Sequence, residues 1–322
     1  MSSRPPRSLA SDRMVDPGGA ALIGGVMMMN GDRVSAAVRG RDGSIWVDTL
    51  DVSPRPWARR LRKIPLLRGL AALATSMSAS VAALLWSARV NGMSDDQIAR
   101  MESSKRTRYF AIAFALVLCV APFLAIHGLL SAVGGGPLRA GLAEAVLRLA
   151  ILTAYIWAVG RWGRVADVFA YHGAEHKTIA CYEAGEPLVP EVVAHHSRFH
   201  PRCGTAFAFW AIMVISAVGA VSGDLGTLAG AAVRLGALAL AVSLGYEIVR
   251  AGAKAGTGRL ARALRAPGLV LQHLTTREPS LGHIETAIHA LRESADDAQR
   301  AAIDAAVARW DADMALLLGT AA

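Results

Sequence analysis

Two stretches decide the class of this chain: Tyr109–Leu130, YFAIAFALVLCVAPFLAIHGLL, and Gly141–Gly160, GLAEAVLRLAILTAYIWAVG. About 20 apolar residues, each rising about 1.5 Å in a helix, cross a hydrocarbon core of about 30 Å. Ala206–Val221 (AFAFWAIMVISAVGAV) and Leu228–Val249, ending ALALAVSLGYEIV, read the same way. The third stretch is short, which a thin or tilted placement accommodates. Glu144, Arg148 and Arg234 interrupt these runs. Such charges are tolerated near a helix end or against a neighbouring helix.

Composition agrees. Of 322 residues, 53% are hydrophobic and only 18% charged, with Lys and Arg exceeding Asp and Glu by 34 to 25. Mean hydropathy is +0.37. These values exclude a disordered chain and disfavour a plain soluble globule. Three cysteines exclude a disulfide scaffold. Basic residues flank the spans on one side: Arg100, Lys105, Arg106 and Arg108, then Arg161 and Arg164, Arg198 and Arg202, and finally Arg250, Lys254 and Arg259. The short connections 131–140 and 222–227 hold only Arg139. Four spans with both termini cytoplasmic satisfy that pattern and predict a multi-pass protein of the cell membrane. A fifth apolar segment, Ile64–Ala88, has a weakly apolar centre of Ala, Ser and Thr. As a full span it would export Arg55, Arg59, Arg60, Arg62 and Lys63. It therefore reads as an interfacial, re-entrant or hairpin element packed on the bundle.

The expected fold is a mainly α membrane protein with a small cytoplasmic N-terminal β-module. Residues 1–17, polar and rich in Arg and Pro, read as a disordered N-terminus and not as a signal peptide. Residues 18–52 form the β-module: Val34, Ala36 and Val38 alternate, as do Ile45 and Val47, around an Asp42–Gly43 turn signal. The preceding GGAALIGGVMMMNG lacks the context of a phosphate loop. Residues 53–108 are a basic segment with the re-entrant or interfacial helices. Residues 109–277 are the bundle, including a His/Cys-rich cytoplasmic loop at 161–205. Residues 278–322 form a helical tail, broken near 294–297. Within 266–279, APGLVLQHLTTREP, the residues Leu269, Leu271 and Leu274 read as lipid-facing.

The chemistry-bearing residues cluster past the second span. In Tyr171–Lys177, YHGAEHK, a helix from about 164 to 184, stopped by Gly185 and Pro187, places His172 and His176 one turn apart, with Glu175 on nearly the same face. Two such imidazoles can share a metal, and the carboxylate can accept a proton from the attacking water. A second run, HHSRFHPRCG at 195–204, adds His200 and Cys203 at H-x-x-C spacing. Five of nine histidines fall between 172 and 200. The donor set His172, His176, His200 and Cys203 suits a divalent metal, zinc above others, with Glu175 as the catalytic group. Asp167, Cys181 and Glu247 are candidates for a third ligand or for a partner that orients an imidazole. The plainer readings are exposed or hydrogen-bonded histidines, buried cysteines that only pack, Cys119 among them, and a Glu247 paired with a basic neighbour.

The segments YHGAEHKTIACYEAGE, SRFHPRCGTAF, GYE at 245–247, APGLVLQHLTTREP and KIPLLRGLAAL resemble the DUF1385 family, also called YqhQ-like proteins, from about residue 18 to residue 292. The family is described as predicted metal-dependent membrane enzymes, so the resemblance implies a metal-linked role for His172, Glu175, His176, His200 and Cys203. One departure stands near the N-terminus. Where the family pattern resembles GGQAVIEGVMMR, this chain has Ala20, Gly24 and Met29 at the polar positions.

The leading functional reading is a metal-dependent hydrolase at the cytoplasmic membrane face, acting on a membrane lipid or a membrane protein. The alternative is a non-enzymatic scaffold or assembly factor whose His/Cys clusters form a structural metal knot. The replaced polar residues at 20, 24 and 29 favour it. A transporter fits less well, since intramembrane charges are few and no inverted repeat is evident. The basic residues track membrane edges, which suits an anionic lipid surface and not nucleic acid.

Overall fold

The computed structural model describes residues 17–40, 42–52, 56–92, 137–222, 227–256 and 258–318. The apolar stretch 109–130, with Cys119 and the basic residues preceding it, lies outside the described residues, as does the N-terminus up to residue 16. What is described is mainly helical, with one small N-terminal sheet.

That sheet is an antiparallel meander of β1 (Gly18–Leu22), β2 (Gly25–Asn30), β3 (Arg33–Arg39) and β4 (Ile45–Leu50). Gly24 turns β1 into β2 at φ 75°, a left-handed conformation that glycine adopts without strain. Gly43, at φ 86°, sits in the β3–β4 turn, where the Asp42 carboxylate accepts bonds from the Ser44 amide at 3.1 Å and hydroxyl at 2.6 Å. Strand alternation sorts the side chains to two faces. Leu22, Met27, Val34, Ala36 and Val38 point one way; Val26, Met28 and Ala37 point the other. Both faces are covered, which explains why β2 reads GVMMMN with no alternation of apolar and polar residues.

Helix α1 (Pro56–Leu61) leads into α2 (Arg68–Val90). The segment expected to be interfacial, re-entrant or a hairpin is one uninterrupted 23-residue helix. Its Ala- and Ser-rich centre lacks a Gly or Pro to fold it back, and those small side chains let it lie close on the sheet. Ala79 and Ala83 join the first face of the sheet, with Trp86 and Val90 beside them. At its other end Gly69 meets Tyr246 so closely that an added Cβ would stand 2.8 Å from the tyrosine's own.

The remaining helices are α3 (Pro137–Val159), α4 (Gly163–Ala184), α5 (Pro190–Ala194), α6 (Gly204–Ser222), α7 (Thr227–Lys254), α8 (Arg259–Thr275), α9 (Leu281–Ser294) and α10 (Asp297–Leu317). Helices α3, α6 and α7 pack as a bundle, and α8 lies against α6 and α7. Four described helices are long and apolar enough to cross a membrane: Arg68–Val90, Leu138–Val159, Gly204–Val221 and Gly236–Lys254. The charges at Glu144 and Arg148 are buried in the bundle, where they pair with each other and Arg148 donates to the Ser216 hydroxyl at 3.1 Å. The Arg234 side chain lies outside the described part. In α8, Leu271 is buried, contrary to its expected lipid-facing position, and Leu260 and Val270 face outward instead.

The second face of the sheet packs on α4 and α9, through Tyr171, Ala174, Ile284, Ala287 and Leu291. A fully buried polar contact crosses this interface: the Ser35 hydroxyl donates to the Ala290 carbonyl at 2.6 Å. Ser35→Ala should lower unfolding stability by about 1 kcal/mol, the usual net worth of such a bond. Ser78→Ala removes an exposed hydroxyl of α2 and should leave it within about 0.5 kcal/mol. Thermal unfolding of the two variants beside the parent protein measures the difference.

Candidate metal centre

The site is assembled on α4. Its alanine-rich sequence favours a helix, and Gly185 ends it in the left-handed conformation, φ 74°, with its amide bonded to the Tyr182 carbonyl at 3.0 Å. His172 and His176 stack edge to face on this helix, ring centroids 4.4 Å apart. Each is held from behind by a backbone carbonyl. His172 Nδ1 lies 2.9 Å from the Thr275 oxygen, and His176 Nδ1 lies 2.6 Å from the Arg198 oxygen. A carbonyl can only accept, so each Nδ1 carries a proton, and in the neutral ring that leaves Nε2 to present a lone pair. Cys203, one residue before α6, brings its sulfur to 3.3 Å from His172 Nε2. One donor atom from each of His172, His176 and Cys203 lies within 4.8 Å of the others. Burial holds the His176 imidazole below its ordinary pKa, which keeps it neutral and able to ligate.

Glu175 is buried beside this triad. Burial pushes its carboxyl above the ordinary value, against the opposing pull of His172, His200 and the Gly19 amide. Gly19 of β1 faces the carboxylate so closely that an added Cβ would stand 3.0 Å from Glu175 Cγ and Cδ. The sheet thus supplies one wall of the site.

The other wall is the extended run after α8. The Arg277 amide donates to the Phe169 carbonyl at 2.8 Å, and Arg198 reaches the Thr276 carbonyl at 2.5 Å and its hydroxyl at 2.8 Å. Buried Lys177 pairs with Glu278 at 2.5 Å and donates to the Ala194 carbonyl at 2.7 Å. Gln272 clamps the backbone of His200, accepting from its amide at 2.8 Å and donating to its carbonyl at 2.9 Å.

Not every expected residue joins the cluster. The His200 ring stands beside it, its centroid 5.7 Å from that of His176, with Nε2 directed at Glu183 Oε2, 3.4 Å away. Cys181, half a helical turn off the His176 face, groups instead with Glu186 and His196. Burial and Glu186 push its thiol up to about 12, so it stays protonated. Asp167 pairs with His283 at 2.9 Å. Glu247 takes Arg68 through both oxygens and also accepts from the Leu66 amide at 3.2 Å. Sequence reasoning missed Gly19, Gln272 and the carbonyls of Arg198 and Thr275. A lone Gln inside an apolar run and a Gly-Gly pair opening a strand were the available signals; a backbone carbonyl leaves none.

The chain matches the family described as "Protein of unknown function (DUF1385)" over residues 64–297. It belongs to that family. It is also 30% identical over 289 residues to a Bacillus subtilis (strain 168) protein described as "Uncharacterized protein YqhQ", covering 86% of this chain and 91% of that protein. No solved structure matches the chain. The family-pattern departures fall away from Glu175: Ala20 and Met29 pack on the α2 side of the sheet, opposite Gly19, and Gly24 is at the β1–β2 turn.

Gly173, next to His172, has no room for a side chain, because a Cβ there would overlap the Arg277 carbonyl oxygen. Gly173→Ala should push α4 off the 275–277 run, loosen the Thr275–His172 bond and destabilise the fold by at least about 1–3 kcal/mol. Gly163→Ala, at a position with open space, should be neutral. Thermal unfolding of both variants reads the contrast.

Proposed function

We propose that this chain is a metal-dependent hydrolase of the membrane surface, with His172, His176 and Cys203 holding a divalent metal, zinc by the character of the donors. The observation that carries the reading is the pair of imidazoles whose Nδ1 protons are taken by the Thr275 and Arg198 carbonyls, turning both Nε2 lone pairs toward one thiol. Backbone carbonyls in that role are the usual outer partners of metal-bound histidines. Three convergent protein donors, among the described residues, match the count of a catalytic zinc site, which keeps one position for water or substrate; a structural site uses four.

The metal, when bound, supplies Lewis acidity. The chain's own part is acid–base work and positioning. Glu175, buried and with its carboxyl raised, is suited to take a proton from attacking water and return it to the leaving group. The Gly19 amide restrains that carboxylate, and the Gln272 clamp sets His200 beside it. Cys203 immediately precedes α6, a helix long and apolar enough to cross a membrane. That position suits a membrane lipid or a membrane-protein segment as substrate. The segment 109–130 and helices α3, α6 and α7 are the four crossings of this reading, in the cell membrane with both termini and the site cytoplasmic. Helix α2 stays on the surface.

Glu175→Gln should retain the metal, since both imidazoles survive, and lose about 10²–10⁴ in rate. His172→Ala should lose metal and activity together. Metal analysis of the purified variants, with complementation of a deletion strain at matched protein abundance, separates hydrolase from scaffold without a known substrate. Full complementation by Glu175→Gln, together with lowered thermal stability in Cys203→Ser, would leave the structural metal knot as the function.

A further inference from the structure

Helix α2 carries a bare apolar row. Leu73, Met77, Val81 and Leu84, spaced by four, four and three residues on one helical face, are 39%, 59%, 52% and 45% exposed. Ile64, Leu66 and Leu67 extend the row beyond the helix start. A contiguous strip of this kind is abnormal on a water-facing surface and marks a contact. The opposite side of the helix is already occupied by the sheet, through Ala79 and Ala83.

Both ends of α2 are pinned. At the start, Arg68 pairs with Glu247, two turns before α7 ends at Lys254. At the finish, the Ser87 hydroxyl donates to the Ile23 carbonyl of the β1–β2 turn at 2.8 Å. The sheet held there packs its other face on α4, which carries the candidate metal centre. A crossing α2 would drag the sheet, with the charges of Arg33 and Arg39, into hydrocarbon. The helix must then run along the membrane surface. The flanking charge has the matching sign: Arg59, Arg60 and Lys63 are exposed just before α2, and Trp57 beside them is 46% exposed. Cations with an exposed Trp beside an apolar strip are the composition of an interfacial helix on anionic lipid.

We propose that α2 is a bilayer-docking helix: its Leu73–Leu84 row enters the acyl boundary, the basic residues of α1 and its following turn bind anionic headgroups, and the docked helix presses the sheet, and with it Gly19, against Glu175. This rests on the reading that α3, α6 and α7 lie in the bilayer.

The test uses the full-length protein in vesicles of phosphatidylcholine with and without phosphatidylglycerol, carrying a photo-crosslinking residue at Met77, Val81 or, on α3, Val146. Lipid adducts at Met77 and Val81, enriched several-fold by phosphatidylglycerol and losing that enrichment in Arg59→Glu/Arg60→Glu/Lys63→Glu, are expected. Adducts only to protein at Met77 and Val81, with lipid adducts at Val146, would overturn the α2 assignment alone. No lipid adduct at any position would overturn the bilayer reading beneath it. Cysteines placed at Lys63 and at Gly92 should both react with an impermeant maleimide from one side of the membrane. Reaction from opposite sides would mean that α2 crosses.

Discussion

Two backbone carbonyls, those of Thr275 and Arg198, hold the rest of the site in place. They accept the Nδ1 protons of His172 and His176 and so decide which way both lone pairs point. Neither oxygen belongs to α4. Thr275 ends α8, and Arg198 lies in the loop between α5 and α6, so two remote segments must arrive at fixed depth. Glycine permits one approach, at Gly173 under the Arg277 carbonyl. The Gln272 amide fixes the other by bonding both backbone groups of His200. Arg198 then ties the two walls together through Thr276.

The sheet is the third support, and its two faces have different duties. One face receives α2, with small side chains at 79 and 83 allowing close approach. The other meets α4 and α9, and there the bare Gly19 backbone reaches Glu175. A buried acid whose carboxyl is raised by desolvation is costly to keep unless it has a task or a partner. The Gly19 amide and the neighbouring imidazoles partly offset that cost. The positions where this chain departs from the family's polar pattern do not fall on this face. Ala20 and Met29 lie toward α2, on the side of the sheet opposite Gly19 and Glu175.

Much was legible in the sequence because it rests on local periodicity. The i,i+4 spacing of His172 and His176, the stop at Gly185 and the long apolar runs are properties of neighbouring residues, and helix geometry alone converts them into faces and lengths. The strand alternation of 34–38 also sufficed to place a hairpin. Residues 25–30 were harder, because a strand covered on both sides loses the alternation that identifies it.

Tertiary structure decided the partners. Cys203 and Cys181 look alike in sequence, both small thiols near histidines. Only the fold sends one to His172 and the other to Glu186 and His196. Asp167 and Glu247 are drawn off to His283 and Arg68 by helices far away in the chain. Sequence by itself determined where the apolar runs of α3, α6 and α7 lie and which donors of α4 share a turn, since those depend on backbone geometry within about one helical turn. That 68–90 is one unbroken helix came only from the structure. Which carbonyl orients which imidazole, and which carboxylate stays buried beside them, depends on contacts between residues up to 156 positions apart, as with Glu175 and Gly19. No local pattern encodes such a contact, because burial and hydrogen-bond geometry exist only once the segments have packed.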